Sequence, residues 1–379
     1  MVHRRLVIHA AFLSALLVAT SVRAADMSGA FSVILYDPAT GEIGIGVLSH
    51  APACGGYVPW VEAGVGAIAT QGETNASWGP RGLDMLRAGV PVEKMVDSLM
   101  KSDPGFQRRQ LGALDRTGWP GGYTGIELVN WSGGILDSNF AMQANTMNTH
   151  LVMDVLADTV RAIKDRPLAD RLLLALALGE RLKADWRGAR SAAILVGRVN
   201  PERPEDTGRY ISLRVDDSAH PSAVLAAQYR AYRAARLVAA HLDYAGWYRG
   251  SGDAARAGLE ELRARDDVQS ALADSALPAP ALNAMAWQLA QRGAMLDQAW
   301  EATQRAQAAE PRSTEFTDTA AEVRYRQGRV AEALALAKDA LSRVPPDEYL
   351  QSRVKFFEAE AAKPAPPGAT GKGKPKKKG

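Results

Sequence analysis

Eight polar residues lie beside apolar runs, where their side chains could bind a small molecule. They are Thr70, Gln71, Asn75, Arg81, Gln143, Asn145, Arg190 and Ser191. The first four follow a predicted strand and lead into a predicted helix, whose first backbone N–H groups can hold an anion. The side-chain amides of Gln143 and Asn145 could donate to a carbonyl or an oxyanion. Each residue alone suits a loop or a helix cap, but together we predict that they line one cleft.

Metal ligands and the usual nucleophiles are poorly represented in the sequence. Beyond residue 24 the histidines are widely spaced, without cysteine or carboxylate partners at ligand spacing, so we predict no metal site. Ser49 and His50 are adjacent in a strand pattern, which directs their side chains to opposite faces and argues against a Ser-His-Asp triad. Residues 64–69 loosely fit a dinucleotide fingerprint but run into turn residues, so no cofactor is predicted. The single cysteine, Cys54, is either a reactive thiol or a small buried side chain.

The first 24 residues have the pattern of a secretory signal. Two arginines precede an apolar run over residues 6–20, and small side chains occupy the −3 and −1 positions at Val22 and Ala24. The apolar run is shorter than the ~20 residues that a membrane-spanning helix needs. We therefore predict a signal peptide over residues 1–24 and a mature chain without a transmembrane segment. The expected location is the periplasm or the exterior of the cell.

Positive charge is concentrated at the other end of the sequence. Residues 363–379 contain six lysines and no acid, and without these lysines the net charge changes from +3 to −3. A segment of proline, glycine and lysine cannot bury enough apolar surface to fold, so we predict a disordered basic tail over residues 361–379. The tail either binds an anionic surface, such as the cell envelope or a nucleic acid, or only keeps the protein soluble.

Between residue 31 and about residue 221, short β-rich runs and helical patterns arrive in blocks. Strands are predicted near residues 31–37, 43–49, 64–72, 110–115, 125–129, 192–196 and 210–215. Helical periodicity covers residues 83–99, where Pro91 loosens the helix, and then residues 151–163 and 168–182. Because the elements do not alternate strictly, the pattern favours an α+β domain over a doubly wound one.

Residues 222–360 are rich in Ala, Arg, Leu and Gln and have helical periodicity throughout. Ala306 and Ala340 are 34 residues apart, as are Pro311 and Pro345. This period resembles that of tetratricopeptide helix pairs, in which small residues let helices approach and proline ends the second helix. The resemblance implies an all-α helical-repeat domain over residues 222–360, whose concave face can bind a protein partner.

The segment from Phe31 to about Pro221 resembles a mainly bacterial family known as domain of unknown function 1028. The similarity is carried, in order, by FSVILYDPATGEIGIGVLSH, GAIATQGETNASWGPRGLDMLRAG, RRQLGALD, QANTM, RGARSAAILV and ISLRVDD. The family is grouped with the N-terminal nucleophile (Ntn) hydrolases. The resemblance therefore implies a four-layer αββα sandwich over residues 30–221. It also implies a nucleophilic Thr, Ser or Cys at the start of the first strand, with its own α-amine as base.

The start of that first strand leaves two functions open. Ala30 stands where family members often have threonine, so Ser32 is the candidate catalytic nucleophile, acting on a small amide or peptide-like bond. Signal cleavage would leave Ala25 first, so either a second cut exposes Ser32, or Ser32 uses another base, or the site is not of the Ntn type. The alternative to a hydrolase is a non-catalytic binding module that uses the cleft and the helical repeats.

Overall fold

The computed structural model describes residues 30–200 and 208–363. The predicted signal peptide and the predicted basic tail beyond Lys363 lie outside the described residues. The chain divides into two compact units between Tyr229 and Arg230, and each unit is described below by itself. Among the described residues, no helix is both long enough and apolar enough to cross a bilayer.

The first unit contains two antiparallel sheets. The larger sheet has the strand order β10-β9-β2-β1-β8-β7, and the smaller has the order β3-β4-β5-β6. The strands are β1 (Ala30–Asp37), β2 (Glu42–Ser49), β3 (Pro59–Glu62), β4 (Gly66–Gly72), β5 (Arg109–Asp115), β6 (Pro120–Thr124), β7 (Trp131–Asp137), β8 (Phe140–Met147), β9 (Ser191–Gly197) and β10 (Arg209–Val215).

Alternation of side chains along each strand builds the core between the two sheets. Ile34 on β1 and Ile45 on β2 pack against Ala67 and Ala69 of β4 and against Leu114 of β5. Because successive side chains on a strand point to opposite faces, the even-numbered neighbours of Ile34 on β1 also face the smaller sheet. Ser32 is one of these neighbours.

Helices pack on the outer faces of both sheets. They are α1 (Trp78–Arg87), α2 (Val92–Lys101), α3 (Leu151–Ala162) and α4 (Leu168–Arg181). The first two contact the smaller sheet through a cluster that includes Ile68 and Met95. The α4 helix lies against the larger sheet, where the bare backbone of Gly46 leaves room for Leu172 and Leu176.

Two local predictions are wrong. The single helix predicted over residues 83–99 is two helices, because Gly89 adopts a left-handed backbone with φ +81° and Pro91 is the N-cap of the second helix. The strand predicted over residues 125–129 is a loop, in which the Gly125 N–H donates to the carbonyl of Arg109. A Cβ added at Gly125 would lie 2.1 Å from the carbonyl oxygen of Gln107, so only glycine fits at this point of the loop.

The α5 helix (Pro221–Tyr232) contains the boundary between the two units. The second unit consists of helices and short connections in its described residues. A π-helical turn, Arg233–Leu237, follows α5, and the remaining helices are α6 (Val238–Gly250), α7 (Ala254–Ala273), α8 (Ala279–Arg292), α9 (Leu296–Ala309), α10 (Thr314–Arg326), α11 (Val330–Ser342) and α12 (Glu348–Ala361).

Glycines with left-handed backbones separate successive helices of the second unit. Gly252, Gly293 and Gly328 have φ of +83°, +60° and +76° and lie after α6, α8 and α10. The alanines 34 residues apart, Ala306 and Ala340, are fully buried. The chain thus combines two sheets with a C-terminal helical region.

Candidate functional site

The hydroxyl of Ser32 lies between two side-chain amides in the core of the first unit. Its Oγ donates to Oε1 of Gln71 at 2.5 Å and accepts from Nε2 of Gln143 at 2.6 Å. Ser32 and Gln143 face each other in register on β1 and β8, whereas Gln71 is on β4 of the opposite sheet. The three side chains therefore connect the two sheets by hydrogen bonds.

Gln110 extends this network, and the sequence analysis missed it. It lies opposite Gln71 on β5, and its Nε2 donates to the carbonyl of Ala144 at 2.9 Å and to that of Gly133 at 3.2 Å. Its Oε1 accepts from Nδ2 of Asn145 at 3.0 Å. We call Ser32, Gln71, Gln110, Gln143 and Asn145 the inter-sheet network.

The inter-sheet network is closed to solvent. Four of its residues have no exposed surface, and Gln143 is 2% exposed. Within the described part of the chain, Oε1 of Gln143 has no hydrogen-bond partner. It lies against Gly112, where an added Cβ would be 1.8 Å from that oxygen. The glycine therefore provides the space that the Gln143 amide occupies.

The network contains hydrogen-bonding groups but no ionisable group. A serine nucleophile needs a base within about 2.6–3.2 Å that can take its proton. The Ser32 hydroxyl contacts an amide oxygen as acceptor and an amide N–H as donor. An amide oxygen is a very weak base, so this arrangement orders the side chain without activating it.

Two further predicted residues, Thr70 and Ser191, do not join this network through their side chains. Thr70 is next to Gln71 on the same strand, so its side chain points to the opposite face, where its Oγ1 donates to the carbonyl of Tyr57. Ser191 begins β9 and donates to the carbonyl of Ala51 at 2.6 Å.

Asn75 and Arg81 form a separate polar cluster where the chain enters α1. Nδ2 of Asn75 donates to Asp103 at 2.7 Å, and Arg81 donates to Ser102 at 2.8 Å. Burial alone would raise the pKa of Asp103, but hydrogen bonds from Asn75, from a backbone N–H and from Arg109 lower it. Asn75 therefore stabilises a structural carboxylate in this structure.

Arg190 lies on the surface in an ion pair with Asp217, at 2.6 Å, and both side chains are about half exposed. Nearby, Ser191 accepts a hydrogen bond from the backbone N–H of Cys54. Burial is the main cause that raises the pKa of the Cys54 thiol to about 12. A thiol with such a pKa stays protonated near neutral pH. Of the two interpretations, a reactive thiol or a small buried side chain, Cys54 therefore fits the second.

A second candidate site is a groove of about 600 Å³ in the helical unit. We call it the helical groove, and its wall combines apolar and acidic groups from α8, α10 and the start of α12. Its lining includes Arg236, Asn283, Trp287, Glu315, Asp318, Asp347 and Tyr349. Within the described residues, no group of three or more His, Cys, Asp or Glu side chains is arranged to hold a metal ion.

Comparison with known proteins assigns the first unit. The family of unknown function DUF1028 matches residues 30–225, slightly more than half of the chain. The chain belongs to this family. The DUF1028 region includes all ten strands described above, and therefore the whole inter-sheet network.

One solved DUF1028 structure is similar to this chain. The crystal structure of a protein from Silicibacter pomeroyi, described by the same family name, shares 28% sequence identity with a TM-score of 0.48. The similarity covers 54% of this chain and 89% of that chain. No curated protein matches the sequence significantly.

Proposed function

We propose that this chain is an exported binding protein. In this proposal the DUF1028 unit is a non-catalytic scaffold of the Ntn-hydrolase type. The helical unit is a tetratricopeptide-like module that binds a protein segment in its groove.

The observation that carries the proposal is the environment of the Ser32 hydroxyl. It is fully buried, and the two amides that contact it provide neither a base nor a charge. An enzyme of the Ntn type would also need Ser32 to carry a free α-amine. That would require removal of Phe31, whose ring is 2% exposed and fills the space beside Gly179 on α4. Removal of this residue would leave a cavity in the core.

The packing of helices on the outer faces of two facing sheets supports an αββα sandwich of the Ntn type. For the second unit, support for tetratricopeptide-like repeats comes from the 34-residue spacing of buried alanines and from the glycines that end α8 and α10. The sequence pattern of residues 1–24 supports export.

Hydrolysis of a small amide by Ser32 is the second candidate function, and one contact favours it. Nε2 of Gln143 lies 2.6 Å from Oγ of Ser32, where an amide donor could stabilise negative charge on oxygen. This reaction would need no metal or organic cofactor. Its substrate would have to reach a residue that has no exposed surface.

N-terminal sequencing and intact mass of the secreted chain separate the two candidates. We expect a terminus that precedes Ala30, and we expect no turnover of an amide library above that of Ser32→Ala. Ser138→Ala, at an exposed turn, is the matched control. A terminus at Ser32, together with turnover that Ser32→Ala abolishes, would establish the hydrolase and end the binding proposal.

The binding activity itself is tested with a peptide array. Wild-type protein and Trp287→Ala are applied to the same array of extended peptides. We expect some peptides to bind the wild type and to lose at least about tenfold in affinity with the variant, because Trp287 lines the helical groove. Binding that is equal for both proteins would contradict the use of this groove.

A further inference from the structure

We propose that the helical groove binds the lysine-rich segment of its own chain, residues 364–379. This inference rests on the proposed binding function of the groove and names its occupant. The occupant is a cationic, extended peptide that is tethered to the last helix of the module.

The groove offers hydrogen-bond acceptors that lack cationic partners. Asn283 is 3% exposed, and its Nδ2 donates to Glu315 at 3.1 Å, but its Oδ1 has no hydrogen-bond partner among the described residues. Glu315 is exposed and forms no ion pair with any described cation, and the same is true of Asp347, which caps α12. A buried amide oxygen without a donor is unfavourable, so a ligand that brings N–H groups gains by binding there.

Two aromatic side chains line the same groove. Trp287 is partly exposed, and Tyr349 is about half exposed, with its hydroxyl donating to Asp318 at 2.8 Å. Burial and the bond to Asp318 raise the pKa of Tyr349 to about 12, so this hydroxyl remains a donor at neutral pH. Lysine matches such a wall, because its methylene stem packs on aromatic rings while its ammonium reaches carboxylates.

The charge of the groove selects a cation over an anion. Asp318 is already paired with Arg353 at 3.0 Å, so its charge is compensated. The exposed charges on the wall are then those of Glu315 and Asp347 against the single cation Arg236. This excess of negative charge favours a ligand rich in lysine and without acids.

Residues 364–379 have this composition and can reach the groove. They contain five lysines, all at or after Lys372, and no acid. The α12 helix has 14 residues and is therefore ~21 Å long at 1.5 Å per residue. Tyr349 is the second residue of this helix, and Lys363 lies two residues beyond its last, Ala361. The eight residues between Lys363 and Lys372 span up to ~28 Å when extended, which is enough to return along the helix.

Docking of this segment would compete with any external partner. A tether of this length gives the segment an effective concentration in the millimolar range, so even weak binding fills the groove. A partner would then bind with a lower apparent affinity, because only those chains whose groove is free can bind it. High salt would weaken the docked state, since exposed charges are screened.

The test uses the full-length chain and a synthetic peptide of residues 364–379. One variant replaces five lysines by glutamine: Lys372→Gln, Lys374→Gln, Lys376→Gln, Lys377→Gln and Lys378→Gln. By calorimetry at low salt, we expect the peptide to bind this variant about tenfold more tightly than the wild type, whose own segment competes. Equal affinity for both chains, or no binding to either, would overturn the proposal.

Three substitutions in the five-lysine variant localise the site. Glu315→Gln should weaken peptide binding about fivefold, whereas Glu301→Gln, the same change at an exposed position outside the groove, should alter it less than twofold. Arg236→Ala should strengthen binding about twofold, because it removes the groove's cation. A weaker affinity of the same peptide for Arg236→Ala would contradict the charge argument and overturn the proposal.

Further outcomes distinguish the occupant from its competitors. A carbodiimide cross-link between Glu315 and a lysine of residues 372–378 is expected within monomers; cross-links found only in dimers would overturn docking within one chain. If anionic vesicles bind these lysines while the peptide fails to bind the groove, the segment is a surface anchor and the inference fails. The groove's binding function survives that failure if array peptides still depend on Trp287, and falls with it if they do not.

Discussion

The inter-sheet network and the helical groove both place polar side chains among apolar ones, but they differ in how those groups are paired. In the network, the amides of Gln71, Gln110 and Gln143 connect two sheets and are buried. In the groove, Glu315 and Asp347 are exposed and have no described cationic partner.

The difference separates a structural role from a recognition role. Hydrogen bonds that are made inside the protein stabilise one arrangement of the sheets. Oε1 of Gln143, which has no partner among the described residues, is closed off from any ligand by the packing around it. Acceptors at an open surface remain accessible to a ligand. A polar residue in an apolar setting is therefore a guide to function only when its partners are known. The partners of Ser32 indicate a structural role.

Loss of Gln110 should have the largest effect, because its side chain bonds to groups on several strands. Gln110→Ala leaves the carbonyl of Ala144 and the amide of Asn145 without this partner in a buried site. We expect the free energy of unfolding of the first unit to fall by about 3 kcal/mol. Urea denaturation measures it, with Gln228→Ala, an exposed helical glutamine, expected to change it by less than about 0.5 kcal/mol. Similar losses for both variants would show that the network is not a specific stabilising element.

A methyl group at Gly112 should disturb the network from the opposite sheet. Gly112→Ala would place its Cβ against the amide of Gln143 and displace it from Ser32. We expect a loss of about 2 kcal/mol from overpacking. The double variant Gly112→Ala with Gln143→Ala should lose less free energy of unfolding than the sum of the losses of the two single variants, because alanine at position 143 removes the clash. Strict additivity would contradict the assigned contact.

The thiol of Cys54 should react slowly in the folded protein. Its pKa is raised from 9.0 to about 12, so the folded chain keeps its proton after the unfolded chain has lost it. Native protein should react with a disulfide reagent at pH 8 far more slowly than urea-unfolded protein.

The same shift makes stability depend on pH in one direction. Stability from this group is complete below pH 9 and is lost as the pH rises toward 12, since the unfolded state then binds fewer protons. The free energy of unfolding of Cys54→Ala should decline less steeply than that of the wild type as the pH rises through this window. Rapid native labelling, or an unchanged slope in the variant, would show that the thiol is accessible and would reopen its catalytic interpretation.

Four residues of the network were predicted as site residues, because polar side chains inside apolar strand runs can be recognised locally. They were predicted to line a cleft and are instead buried. Ser32, Gln71, Gln143 and Asn145 are polar residues inside apolar runs, and the two sheets bring them together. Gln110 has the same signal, in RRQLGALD, and was missed. Period two also separates Thr70 from Gln71, because adjacent strand residues face opposite ways.

Residues in loops could not be assigned in this way. Asn75 contacts Asp103, 28 positions away, and Arg190 contacts Asp217, 27 positions away, because of how the intervening chain folds back. The helical groove was equally hidden. The 34-residue spacing of alanines and prolines indicated helix pairs, but the burial of Asn283 depends on how three helices pack around it.

The central claim is that the Ser32 hydroxyl serves the structure rather than catalysis, and the free energy of unfolding of Ser32→Ala tests it most directly. A structural hydroxyl with two buried amide partners predicts a decrease of about 1–2 kcal/mol in urea denaturation, with peptide binding in the helical groove unchanged. A stability that is equal to or greater than that of the wild type, as expected when a strained catalytic group is removed, would contradict the account.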